Sequence, residues 1–173
     1  MAFRITGLAA EDFAPLFDLS DAELAARGAV RRIADGRQPG YPCRISLTDS
    51  QPGDELILAN YEHLPVASPY RMRFAVYVRR GEERFDRVDE VPEQLRLRTL
   101  AVRAYDVDGM MLGHALVDGR QMEAAISTLL AEPRAEYLHA HYASPGCYAA
   151  RVDRVWPRAL RDIVPVLFLT YCI

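Results

Sequence analysis

From residue 29 onward, turn-forming tracts divide the chain at short intervals, and this spacing limits the available folds more than any other feature. Asp35-Gly36-Arg37-Gln38-Pro39-Gly40, Asp49-Ser50-Gln51-Pro52-Gly53-Asp54, Asp106-Val107-Asp108-Gly109 and Ser144-Pro145-Gly146 all combine residues that favour chain reversal. The segments that flank them, such as residues 29–34, 43–48 and 110–117, are shorter than an average helix of about 11–12 residues, and they suit strands. In residues 72–78, Met72, Phe74, Val76 and Val78 alternate with Arg73, Ala75 and Tyr77, the pattern of a half-buried strand. Residues 95–105 and 110–117 flank the Asp106–Gly109 tract as a hairpin. Further strands are expected at residues 3–6, 29–34, 43–48, 55–61, 136–142 and 148–155.

Helical signals are few. Residues 10–27 read as a pair of short helices broken at Asp18-Leu19. Ser20 and Glu23 form a capping box for the second, and Gly28 stops it. Asp118 is placed to cap one longer helix near residues 120–130, with Met122, Ala125, Ile126, Leu129 and Leu130 at helical spacing. Strand and helix alternate only once, so a doubly wound parallel sheet is not indicated. The expectation is an α+β fold: one domain over residues 1–155 with a mostly antiparallel sheet of about seven strands. Residues 156–173 form an apolar C-terminal extension, expected to pack on the domain or on a partner subunit in a homodimer. Its uncharged run at 163–173 is shorter than the roughly 20 residues of a membrane span, and Pro165 interrupts it, so no membrane association is expected.

Composition narrows the function. There are 24 acids against 21 bases, a formal charge of -3, which argues against a nucleic-acid binder. All 21 bases are arginine and none is lysine, which excludes Schiff-base, P-loop and kinase-lysine chemistry. Residues 1–7 lack the charged and apolar regions of a secretory signal, and the 3 cysteines are widely spaced. Reduced thiols in a cytoplasmic setting are therefore expected.

Four groups of residues carry candidate chemistry. His139-Ala140-His141 places two imidazoles on one face of a strand, a pair able to chelate a transition metal if a third ligand such as Cys147, His63 or Glu62 joins them. The plainer reading is two polar residues on a solvated or hydrogen-bonded strand face. Asn60-Tyr61-Glu62-His63 ends an apolar strand, where Glu62 or His63 could transfer protons and Asn60 could bind ligand. Cys43 and Cys147 each follow a turn residue and open a strand. Either could be an activated thiol beside a histidine, although free cysteines are more often simply buried. Arg44, Arg71 and Arg151 lie next to these segments and suit an anion, with salt-bridged surface arginines as the alternative. His114 lies in an apolar strand and reads as a core histidine; Ser68 has no hydrolase-elbow context.

Several of these stretches together resemble a known family. Phe3-Arg4-Ile5, Leu19-Ser20-Asp21, Gly40-Tyr41-Pro42-Cys43-Arg44, Asn60-Tyr61-Glu62-His63, Ser68-Pro69-Tyr70 and the His-x-His and Pro-Gly-Cys region are similar to the bacterial family catalogued as domain of unknown function 1203. The resemblance covers most of residues 1–155 and implies a small bacterial cytoplasmic α+β protein; it transfers no catalytic role. The combined expectation is a polar pocket at strand ends that binds an anionic small molecule, with or without a transition metal. It would be built from Tyr41, Cys43, Arg44, Asn60, Glu62, His63, Tyr70 and Arg71, with Arg151 nearby, facing His139, His141 and Cys147. The alternative is an interaction protein that assembles through its apolar C-terminal strand.

Overall fold

A computed structural model describes residues 2–156. The apolar extension expected to mediate dimerisation therefore lies outside the described residues, apart from Trp156. Nine strands and three short α-helices are present among the described residues, the strands in two antiparallel sheets. The larger sheet has the order β5-β1-β9-β8-β6-β7. Its strands are β1 (Phe3–Thr6), β5 (Asp86–Val88), β6 (Thr99–Tyr105), β7 (Met111–Asp118), β8 (Tyr137–Tyr142) and β9 (Tyr148–Arg154). The smaller sheet is β2 (Val30–Ile33), β3 (Glu55–Leu64) and β4 (Met72–Arg79), in that order. The protein is of the α+β class, with mostly antiparallel sheet and few helices.

Local chemistry sets most of these elements. The capping box forms as the sequence indicates: Ser20 accepts from the Glu23 amide and the Glu23 carboxylate accepts from the Ser20 amide, opening α1 (Asp21–Ala26). The preceding residues form two 3-10 turns, so only the second of the expected N-terminal pair is an α-helix. Asp118 accepts from the Arg120 amide and starts a 3-10 turn that runs into α3 (Met122–Leu129). At the β6–β7 hairpin, Asp106 Oδ1 accepts from the amides of Asp108 and Met110. Gly109 is required there: its φ is 75°, and a Cβ would lie 2.6 Å from Val66.

Three expectations change. Residues 43–48 are not a strand. Cys43 makes one isolated bridge to Tyr77 and Leu47 adopts φ 53°, so the chain turns out of register before a ladder can form. The segment that begins at Leu95 belongs first to α2 (Glu93–Arg96), because Val91-Pro92 starts a helical turn; the strand opens only at Thr99. His114 is exposed rather than in the core. It lies on β7, the edge of the larger sheet, and Leu116 beside it is 70% exposed.

The central strands of the larger sheet are buried on both faces. Leu100, Val102, Leu138, Ala140 and Val152 pack against Leu95 of α2 and Met122 and Ile126 of α3. A second core joins Ile57, Ala59, Val76 and Val78 of the smaller sheet to Phe13, Phe17 and Leu24 of the N-terminal segment and to Tyr148 of β9. β8 alternates along its whole length and all six of its residues are buried. Its odd-numbered side chains, Tyr137, His139 and His141, therefore turn away from the aliphatic core toward the smaller sheet.

A candidate metal centre between the two sheets

His139 and His141 share a face of β8 and point toward the end of β3, where His63 projects to meet them. The ligand-capable nitrogens of His63, His139 and His141 all lie within 4.8 Å of one another. Ring centroids are 5.9 Å apart for His63–His139, 5.3 Å for His63–His141 and 6.2 Å for the β8 pair. A tetrahedral ion with metal–nitrogen bonds near 2.0–2.1 Å needs nitrogens about 3.3 Å apart, within reach of modest ring rotation. The backbone prepares this convergence on both sides. An irregularity between Glu62 and Leu64 ends the regular pairing of β3 with β4 at His63. Another between Ala140 and His141 shifts the β8–β9 register and sets Tyr148 opposite His141.

Aromatic rings frame the chamber. Tyr148 stacks on His63 at 4.8 Å and meets His139 edge-on at 5.0 Å, while Tyr105 and Tyr137 lie 5.4 and 5.1 Å from His139. Gly146, at φ 76°, makes the turn into β9, and its carbonyl lies 3.2 Å from His141 Nδ1. That contact assigns the proton to Nδ1 and leaves Nε2 of His141 with a free lone pair. Both nitrogens of His63, Nδ1 of His139, Nε2 of His141 and the Tyr105 hydroxyl are buried with no hydrogen-bond partner among the described residues. A buried polar group without a partner costs about 1–3 kcal/mol, so four such nitrogens in one chamber need an explanation.

Burial also holds the three imidazoles neutral. It pushes His63 down to about 4 and His141 to about 3. His139 falls well below the usual imidazole value, through burial first and then through His141, His63 and the guanidinium groups of Arg151 and Arg103. Neutral imidazole is the metal-binding form. Arg103 on β6 pairs across from His139, and Arg151 on β9 flanks it on the other side. No carboxylate or thiol joins the three-histidine group among the described residues.

The remaining expected site residues separate into other places. Cys147 lies away from the histidines, with Arg44 Nη2 3.0 Å from its Sγ. Arg44 and Tyr41 line a cleft with Cys147 beyond the Tyr142–Cys147 turn. Cys43 is fully buried in the second core. Asn60 accepts from Arg73 at 3.0 Å, and Glu62 is ion-paired with Arg71. Both belong to the face of β3 opposite the histidine chamber. Tyr70 packs edge-on to Tyr105 at 6.4 Å, and Arg151 lies over the Tyr137 ring at 4.0 Å while pairing with Asp153. Thus β8 and β3 bring together three of the expected residues, β9 sets Arg151 beside them, and Tyr41, Cys43, Arg44, Asn60, Glu62 and Cys147 lie elsewhere. The sequence reading missed Tyr105, Tyr148 and Arg103. Tyr105 and Arg103 follow from the two-residue alternation of β6, but their alignment with β8 depends on register.

An α+β protein with a buried three-histidine chamber between two antiparallel sheets is the class that fold and site define. The chain belongs to the family described as Protein of unknown function (DUF1203), whose sequence model matches residues 40–154. All three histidines, Arg44 and Cys147 lie within that match. Comparison with curated proteins and with solved structures finds no match. No helix among the described residues is long and apolar enough to cross a membrane.

Proposed function

We propose that this protein binds one divalent transition metal through His63, His139 and His141, and that it uses the open fourth position to polarise a small anionic ligand or water. The observation that carries the reading is the convergence of three buried neutral imidazoles with four unpartnered nitrogens. An all-nitrogen donor set favours Zn, Fe, Cu or Ni over Mg or Ca, and three ligands with a fourth position open is the pattern of reactive rather than structural zinc. Arg103, which pairs with no carboxylate among the described residues, biases that position toward an anion, whereas Arg151 is balanced by Asp153. The Tyr105 hydroxyl, kept protonated by burial, supports a hydrogen-bonding role toward it. In this reading His63 is a ligand, and Glu62 and Cys43 take no part in the chemistry. The free thiols of Cys43 and Cys147 support a reducing, cytoplasmic setting.

Elemental analysis of protein purified without a histidine tag tests the reading. About one metal per chain is expected after supplementation with Zn, Fe, Cu or Ni, falling at least tenfold in the H139A/H141A double variant. Metal content far below one per chain under all four supplements would exclude the site.

A further inference from the structure

A cleft of about 500 Å³ lies beyond the Tyr142–Cys147 turn, distinct from the histidine chamber. Its walls include the rings of Tyr41, Tyr77 and Tyr142 together with Pro42 and Pro145. Tyr41, Arg44, Tyr142 and Cys147 are buried, whereas Ser144 and Arg37 are exposed and form its rim.

Arg44 is the unusual member. It is only 2% exposed, yet no carboxylate pairs with it among the described residues. Nε donates to the Tyr148 carbonyl at 2.9 Å, Nη1 donates to the Pro42 carbonyl, and Nη2 approaches Cys147 Sγ. The guanidinium carbon stands 4.8 Å from the Tyr142 ring centroid. These contacts orient the group but supply no balancing negative charge, and an arginine cannot shed its proton. Two of the five N–H bonds remain without an acceptor among the described residues. Arg98, in the same lining, shows the contrast: both carboxylate oxygens of Asp49 lie 2.9 Å from its Nη2. A buried, unpaired permanent charge is costly unless something neutralises it.

We propose that the cleft is a binding site for a small carboxylate with a planar apolar body. Arg44 holds the carboxylate, and the three tyrosine rings enclose the body. The cleft volume falls in the range of small-molecule sites and suits one or two rings. A monocarboxylate matches the single uncompensated charge. A phosphate dianion would leave net charge against apolar walls, because Arg98 is already neutralised. The site does not depend on the metal centre, and the two fail or stand separately.

Calorimetric titration of the full-length protein with benzoate, benzamide and benzylamine as probes tests this. Benzoate is expected to bind saturably at low millimolar concentration or tighter, and benzamide and benzylamine at least about tenfold more weakly. Arg44→Met removes the preference for benzoate. Because Arg44 is buried and its replacement can impair folding, the exposed rim substitution Ser144→Trp provides an independent arm. It is expected to fill the mouth and weaken benzoate at least about tenfold with an unchanged melting temperature. Equal binding of benzoate and benzamide, no saturable binding by about 20 mM, or benzoate binding unaffected by Ser144→Trp overturns the proposal. So does rapid iodoacetamide labelling of Cys147 that benzoate does not slow, since the thiolate would then be the partner of Arg44.

Discussion

The two faces of the six-stranded sheet solve opposite problems with the same strands. Along β8, Leu138 and Ala140 enter an aliphatic layer beneath α2 and α3, while the alternate residues His139 and His141 enter a layer of imidazole, phenol and guanidinium beneath the smaller sheet. Both layers are water-poor. On the helix face the packing is mostly aliphatic, and the Tyr142 hydroxyl at its margin donates to Gln94. On the other face, polar atoms are buried beyond what the protein itself can pair. A fold stabilised only by packing would place aliphatic side chains there, because replacing an unpartnered buried polar group with an apolar one is neutral or favourable. In the proposed reading, the difference between the faces separates the part of the sheet that stabilises the fold from the part that holds a metal.

That separation can be broken experimentally. The largest effect is expected from metal. Zinc at about a thousand times its dissociation constant should stabilise the protein by about 4 kcal/mol, roughly 8–16 °C in melting temperature for a domain of this size. Differential scanning fluorimetry with and without EDTA reads this, and the shift should vanish in His63→Leu. Next, Leu138→Ala should cost about 2–5 kcal/mol whether or not metal is present. His139→Leu, one residue away on the other face, should abolish the metal effect and leave the stripped protein at least as stable as the parent. Equal losses in both stripped variants would mean that the two faces are both ordinary core.

The share of the metal-stripped protein's pH dependence that comes from His63 alone should be smaller. Folding lowers His63 from about 6.5 to about 4, so between those values the unfolded chain holds more protons than the folded one. Stability is then complete above pH 6.5 and declines as the pH falls toward 4, by about 3 kcal/mol from His63 alone. The groups facing the chamber are Arg103 and Tyr105 on β6, Tyr137 on β8, and Tyr148 and Arg151 on β9. None of them titrates near that window, so urea unfolding at pH 7, 5.5 and 4.5 should flatten when all three histidines are replaced by leucine. The smallest effect is expected from Tyr105→Phe, which removes an unpartnered buried hydroxyl. The stripped protein should gain about 1 kcal/mol, and a loss instead would show that the hydroxyl already has a partner.

Much of this layout was legible in the chain, in uneven degree. The α+β class followed from turn spacing, the Ser20–Glu23 cap from local pairing, and the shared face of His139 and His141 from the period of a strand. Each depends on neighbours within a few residues. His63 could be offered as a third ligand but not selected over Cys147 or Glu62, because its meeting with β8 is set by how two sheets pack. Arg44 and Cys147 are 103 residues apart and meet only because the segment after Pro42 leaves strand geometry. His114 was misread because an apolar run does not reveal whether its strand lies at a sheet edge.

The central claim is that His63, His139 and His141 hold one metal ion. Zinc K-edge X-ray absorption of the stoichiometric zinc complex tests it most directly. The account predicts three imidazole nitrogens at about 2.0–2.1 Å with one further light ligand and no sulfur. A sulfur ligand near 2.3 Å would contradict it by bringing in a cysteine, and a shell of oxygens without imidazole would place the metal elsewhere.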